Sequence, residues 1–172
     1  NGGFSKKPYD SLNCSYNSGD NRYTVNKNIL KAQQRLNLQD LKIKSIKQTH
    51  SNNIKIINYN NLFNETIADG SITQEKGICL AILTADCAPI FLYDPNNNVI
   101  CAIHSGWRGC LSNIISVAVM KIAEISKNTN DVIAIIGPCL GKNNFEINEN
   151  LKEKFLERNA KYNKFFIHKD NY

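Results

Sequence analysis

The sequence predicts an α+β domain, a mixed β-sheet with helices packed on its faces. Three observations point there. Strand-like and helix-like segments follow one another without the strict βαβ alternation of a parallel sheet. Two apolar runs at the centre flank a polar turn and read as a hairpin. A long segment after that hairpin carries an apolar stripe at helical spacing.

Taken in order, residues 1–20 are rich in Gly, Ser, Asn and Tyr and read as ordered loop. A helix is predicted over 24–36, with Val25, Ile29, Ala32 and Leu36 on one stripe. Strands are predicted over 42–48 and 53–58. Residues 78–83 read as a buried strand and 89–93 as another. Asp94-Pro95-Asn96-Asn97-Asn98 has turn composition, and 99–104 returns to close the hairpin. Ser105-Gly106-Trp107-Arg108-Gly109 breaks the strand. A single helix is then predicted over 110–126, with Ile114, Ile115, Ala118 and Ile122 inward. The all-apolar run 132–136 reads as a buried strand, stopped by Gly137-Pro138. A last amphipathic helix covers 149–156.

Composition narrows the function classes. A chain of 172 residues with 42% hydrophobic and 21% charged residues can bury a core and is neither disordered nor fibrous. No apolar run approaches the roughly 18 residues of a membrane helix, and no secretory signal is visible, although the first residue is Asn rather than Met. The net charge of +6 comes from scattered lysines rather than a block, which predicts a solvated surface and not a nucleic-acid face. Six cysteines without a CxxC pair fit reduced thiols in a cytoplasmic protein better than a disulfide scaffold.

Chemistry concentrates at few positions. The three histidines are His50, His104 and His168, and the first two stand at strand ends, where sites are commonly built. The predicted hairpin brings Cys87 near His104, 17 residues on. Two chemistries suit that pair. One is a Cys–His dyad with a thiolate nucleophile. The other is a zinc site in which His50, Cys87 and His104 are three ligands with an open fourth position. A buried cysteine with two hydrogen-bonded histidines is the plain alternative. Asp86 can orient an imidazole or cap the turn before Pro89. Cys79 and Cys101 lie within apolar strands and read as core. Cys110 opens the long helix, and Cys139 sits in a tight turn able to line a site. Arg108 supplies a fork-shaped donor in the glycine-rich turn that ends at Gly109, a combination suited to phosphate or carboxylate.

Several ordered segments together carry a resemblance. Thr84-Ala85-Asp86-Cys87-Ala88-Pro89 resembles a TADC-x-P signature, and His104-Ser105-Gly106-Trp107-Arg108-Gly109 resembles HAGWRG with Ser at 105. Gln48-Thr49-His50-Ser51 is similar to Q-V-H-G, and Gly137-Pro138-Cys139-Leu140-Gly141 with Phe145-Glu146-Ile147 to IGP-x-IG and YEV. Ser11-Leu12-Asn13 and Asp69-Gly70 match two further steps. By these segments the chain is identified as a member of the YfiH/DUF152 family, historically labelled polyphenol oxidase or laccase.

The resemblance implies the YfiH-like fold, related to Cys–His hydrolases, in one domain over residues 1–172. Family members extend beyond both ends of the matched region, so terminal segments of a longer protein are expected. It implies a zinc-dependent enzyme with His50, Cys87 and His104 as ligands. The implied activities are phosphorolysis of adenosine, inosine, guanosine and methylthioadenosine, and adenosine deamination. The implied alternatives are an amide hydrolase editing a peptidoglycan precursor and a non-catalytic binding domain. Copper fits less well, because a laccase needs many histidines. With a purine nucleoside and phosphate as partners, Arg108 and the N–H groups near Gly109 are expected to bind phosphate. Asn13, Gln48 and Cys139 are expected to contact the nucleoside, and Asp86 to orient a ligand or carry a proton. Neither nucleic acid nor membrane is implied, and the oligomeric state is left open.

Overall fold

The central hairpin forms because its two apolar runs pair in full register and its turn is internally bonded. Strand β5 (Ala88–Asp94) pairs antiparallel with β6 (Val99–Ser105), from Ala88 opposite Ser105 to Asp94 opposite Val99. Asp94 closes the turn by accepting from the backbone N–H groups of Asn96 and Asn97 and from the Asn97 amide. Asn98 takes the left-handed conformation, φ 53°, that Asn tolerates better than most residues.

The structure, a computed structural model, describes residues 2–127 and 129–168. Around the hairpin are helix α1 (Arg22–Arg35) and strands β1 (Lys42–Ser45), β2 (Ile54–Ile56), β3 (Gly70–Thr73) and β4 (Ile78–Ala81). After it come helices α2 (Trp107–Leu111) and α3 (Ile114–Ser126), strand β7 (Ile133–Ile136), helix α4 (Glu149–Arg158) and a 3₁₀ turn, Ala160–Phe165. The main sheet runs β2-β3-β6-β5-β7. Only β2 and β3 are parallel there, so the sheet is mixed. Strands β1 and β4 form a separate parallel pair.

Each face of the sheet has its own core. Ile72, Ile90, Leu92, Cys101 and Ile103 meet Ile114, Ala118 and Ile122 of α3, whose four-residue spacing puts those three on one stripe. On the other face Ala102 joins Ile57, Leu62, Ile78 and Leu80 under the β1–β4 pair. Helix α1 is capped by Asn21, and its buried Asn28 ties down the N-terminal loop through Phe4, Ser5 and Asn13.

Four expectations are corrected. The predicted helix over 110–126 is two helices, because Asn113 sits at φ 58° and breaks the chain direction; the first begins at Trp107, inside the segment read as a break. The run 132–136 is not buried. It forms the edge strand β7, with Ile133, Ile135 and Ile136 more than half exposed. The strand read over 42–48 ends at Ser45, with one further bridge from Lys47 to Ile67. Strand β3 was not predicted, yet it lies fully buried between β2 and β6. Its Gly70 is required there, since a Cβ would meet Ile54 Cγ1 at 2.9 Å.

Candidate metal centre

Three segments deliver three donor side chains to one point. His104 is next to last in β6, and Cys87 immediately precedes β5, so the hairpin register sets them side by side. His50 comes from the loop between β1 and β2. The donor atoms of His50, Cys87 and His104 all lie within 4.8 Å of one another, near enough that small side-chain shifts would let one ion reach all three. Cys87 Sγ stands 3.9 Å from His50 Nε2, and the two imidazoles meet edge to face with centroids 4.8 Å apart. Gly106 roofs the group; a Cβ there would be 2.8 Å from His50 Cδ2 and 3.1 Å from Cys87 Sγ.

The electrostatics of the metal-free centre favour the neutral thiol. Burial pushes the Cys87 thiol above its ordinary value, and the negative charges of Asp86 and Asp69 push it further. None of the causes acting on Cys87 is a neighbouring cation of the kind that stabilises a thiolate. A bound cation would reverse that balance, because coordination deprotonates a thiol. One thiolate and two imidazoles on three ligands are a donor set that suits a divalent metal such as zinc or copper.

The carboxylate at this centre belongs to Asp69. It is fully buried and bonds His104 Nδ1 at 2.9 Å. Desolvation would raise its pKa, but hydrogen bonds from His104, Ser51 and Thr49 outweigh it and hold the carboxyl at about 2. From the sequence, Asp86 is the carboxylate expected to orient an imidazole or cap the turn. Among the described hydrogen bonds the exposed Asp86 side chain makes none to either imidazole; it is the Asp86 carbonyl that accepts, from Leu140 N–H at 2.9 Å. The one sequence signal for Asp69 was its place in the Asp69-Gly70 step.

The remaining predicted residues fall in different places. Gln48 clamps Leu83 with both ends of its amide, at 2.8 and 2.9 Å. The Asn13 amide is bound to Ser18 and Asp20 in the N-terminal loop. Gly109 is buried on α2, where a Cβ would lie 3.2 Å from the Ser51 carbonyl. Arg108 is exposed, its guanidinium carbon 4.5 Å from the Trp107 ring centroid, with no carboxylate partner among the described residues. Cys139 is exposed, in the turn that Leu140 ties to Asp86. Cys101 is core, its thiol pushed up to about 12 by burial, and all six cysteines are free. A cavity of about 440 Å³ between the end of α2 and α4 is lined by Asn52, Leu111, Ser112, Lys154, Glu157 and Arg158, and includes none of the three donors.

The family model described as multi-copper polyphenol oxidoreductase laccase matches residues 1–172. The chain belongs to the YfiH/DUF152 family. A purine nucleoside phosphorylase of Rickettsia conorii is 41% identical over 101 residues, covering 59% of this chain and 41% of that protein. The purine nucleoside phosphorylase YfiH of Escherichia coli is 30% identical over 172 residues, covering 99% and 69%. The crystal structure of YlmD from Geobacillus stearothermophilus superposes with a TM-score of 0.86 at 26% identity, covering 91% of this chain and 62% of that one. The chain thus spans between 41% and 69% of the length of these YfiH-family relatives. Like them it carries the α+β fold; no helix among the described residues is long and apolar enough to cross a membrane.

Proposed function

We propose that this domain carries the zinc centre of a purine nucleoside phosphorylase. The observation that supports the reading most is the convergence of His50, Cys87 and His104 within 4.8 Å, in a chain similar in sequence to relatives that bear that name. The laccase description of the family fits this chain poorly. Multi-copper chemistry needs many imidazoles, and the chain has three histidines, two of them in the single group.

In phosphorolysis a phosphate oxygen bonds to the anomeric carbon as the bond from that carbon to the purine nitrogen breaks. The products are the sugar 1-phosphate and the free base. Positive charge builds on the sugar and negative charge on the base, so the protein must hold an anion and favour the leaving purine. Zinc bound by the three donors supplies Lewis acidity. Arg108 is the candidate phosphate clamp: its fork is exposed, has no carboxylate partner among the described residues and stands four residues beyond His104. Trp107 holds the guanidinium in place through ring contact. Adenosine deamination by the same centre would need neither phosphate nor Arg108.

Incubating the protein with adenosine, with and without phosphate, tests this. Adenine is expected only when phosphate is present. Inosine formed without phosphate would make the centre a deaminase, and the absence of both products from zinc-loaded protein would refute the nucleoside reading.

A further inference from the structure

We infer that Asp69 is the positioning residue of the metal centre, fixing both histidines at once. The inference rests on the metal-site reading and not on the nucleoside reaction. The Asp69 side chain reaches His104 through Nδ1, at 2.9 Å. It reaches the His50 loop through three successive backbone donors: Thr49 N–H at 3.1 Å, His50 N–H at 2.9 Å and Ser51 N–H at 2.6 Å. The hydroxyls of Thr49 and Ser51 add bonds of 3.2 and 2.7 Å to Oδ2. The Asp69 carbonyl also accepts from His104 N–H at 2.7 Å, so main chain and side chain both hold that residue.

Two consequences follow. A carboxylate can only accept, so His104 carries its proton on Nδ1 and turns the Nε2 lone pair outward as a ligand. The second concerns His50, which sits at φ 59°, a left-handed conformation that non-glycine residues rarely adopt. Three consecutive N–H groups converging on one anion form a nest, and the Asp69 carboxylate fills it. The same atoms that choose the His104 tautomer therefore hold the backbone that aims His50. Cys87 is set independently, by the hairpin.

The test uses the whole chain and cobalt(II) alone, read by thiolate-to-cobalt absorption, with ¹⁵N spectra of the metal-free protein reporting the His104 tautomer. In the wild type, His104 is expected as the Nδ1–H form. Asp69→Asn is expected to lose that preference and to weaken cobalt binding roughly 10- to 100-fold, with a shifted ligand-field spectrum. Should Asp69→Asn fail to fold, the Thr49→Val/Ser51→Ala double variant keeps the backbone nest and strips two bonds from Oδ2. It is expected to weaken cobalt binding by a smaller factor with the far-ultraviolet spectrum unchanged. A folded Asp69→Asn with wild-type affinity and spectrum would overturn the inference. So would an unchanged double variant where Asp69→Asn does not fold, an Nε2–H tautomer in the wild type, or a wild type that takes up no cobalt. Protein that behaves as expected with cobalt yet leaves adenosine untouched would refute the phosphorylase reading and leave this one standing.

Discussion

Gly106 faces His50 so closely that a methyl group on its α-carbon would lie 2.8 Å from the imidazole Cδ2. The same methyl would crowd Cys87 Sγ at 3.1 Å. Gly106→Ala is therefore expected to displace a ligand while leaving the sheet intact. Cobalt or zinc affinity should fall about tenfold, the scale of a perturbed ligand environment, with thermal unfolding of the metal-free protein little changed. Equal affinity in the variant would show that the His50 ring swings aside freely.

Cys87 should behave as a poor nucleophile until metal arrives. Burial and the nearby carboxylates raise its pKa above the ordinary thiol value, so the thiol is protonated at neutral pH. Alkylation by iodoacetamide should be slow at pH 7 and accelerate as pH rises past the ordinary thiol range. Zinc should protect the residue from alkylation, and Cys87→Ser should abolish the thiolate–cobalt band. Rapid alkylation at pH 7 would restore the dyad reading.

Acid should loosen the centre in a defined window. The Asp69 carboxyl sits at about 2 in the fold against an ordinary 3.8. A depressed carboxyl stabilises the fold fully above its unfolded value and loses that contribution as pH falls through the folded one. The melting temperature should thus drop between about pH 4 and pH 2, and part of that drop should vanish in Asp69→Asn. An identical acid limb in wild type and variant would place the transition on other carboxylates.

Lys44 offers a test away from the metal. It is 3% exposed, and its ammonium donates to the carbonyls of Asn61, Leu62 and Asn64 at 3.4, 3.0 and 2.7 Å. Lys44→Met keeps the stem and strips the donor from three carbonyls, that of Leu62 buried. A loss of about 1–3 kcal/mol is expected in urea unfolding. Wild-type stability would mean that water replaces the ammonium at no cost.

What the sequence disclosed tracks how local the causes were. The hairpin was legible because its apolar runs, its turn residues and its pairing all lie within 88–105. The three donors could be proposed from strand ends and from the family's motifs. Strand β3 escaped because Gly70-Ser71-Ile72-Thr73 is short and mostly polar, and is buried only by partners at 54–56 and 100–103. The all-apolar β7 was read as interior because periodicity cannot tell a buried strand from an apolar edge. Asp69 is hard to pick out from the sequence because its bonds span 18 to 35 residues.

The hairpin also orders events in time. Closing a short loop costs less entropy than closing a long one, and the 95–98 turn is the shortest connection between paired strands of the sheet. Cys87 and His104 are expected to meet as soon as that ladder zips. His50, 37 residues before Cys87, is expected to arrive after β3 has docked on β6 and carried Asp69 with it. High-affinity metal capture is thus a late step on the folding path, and a stopped-flow cobalt signal would time the completion of the sheet rather than its nucleation.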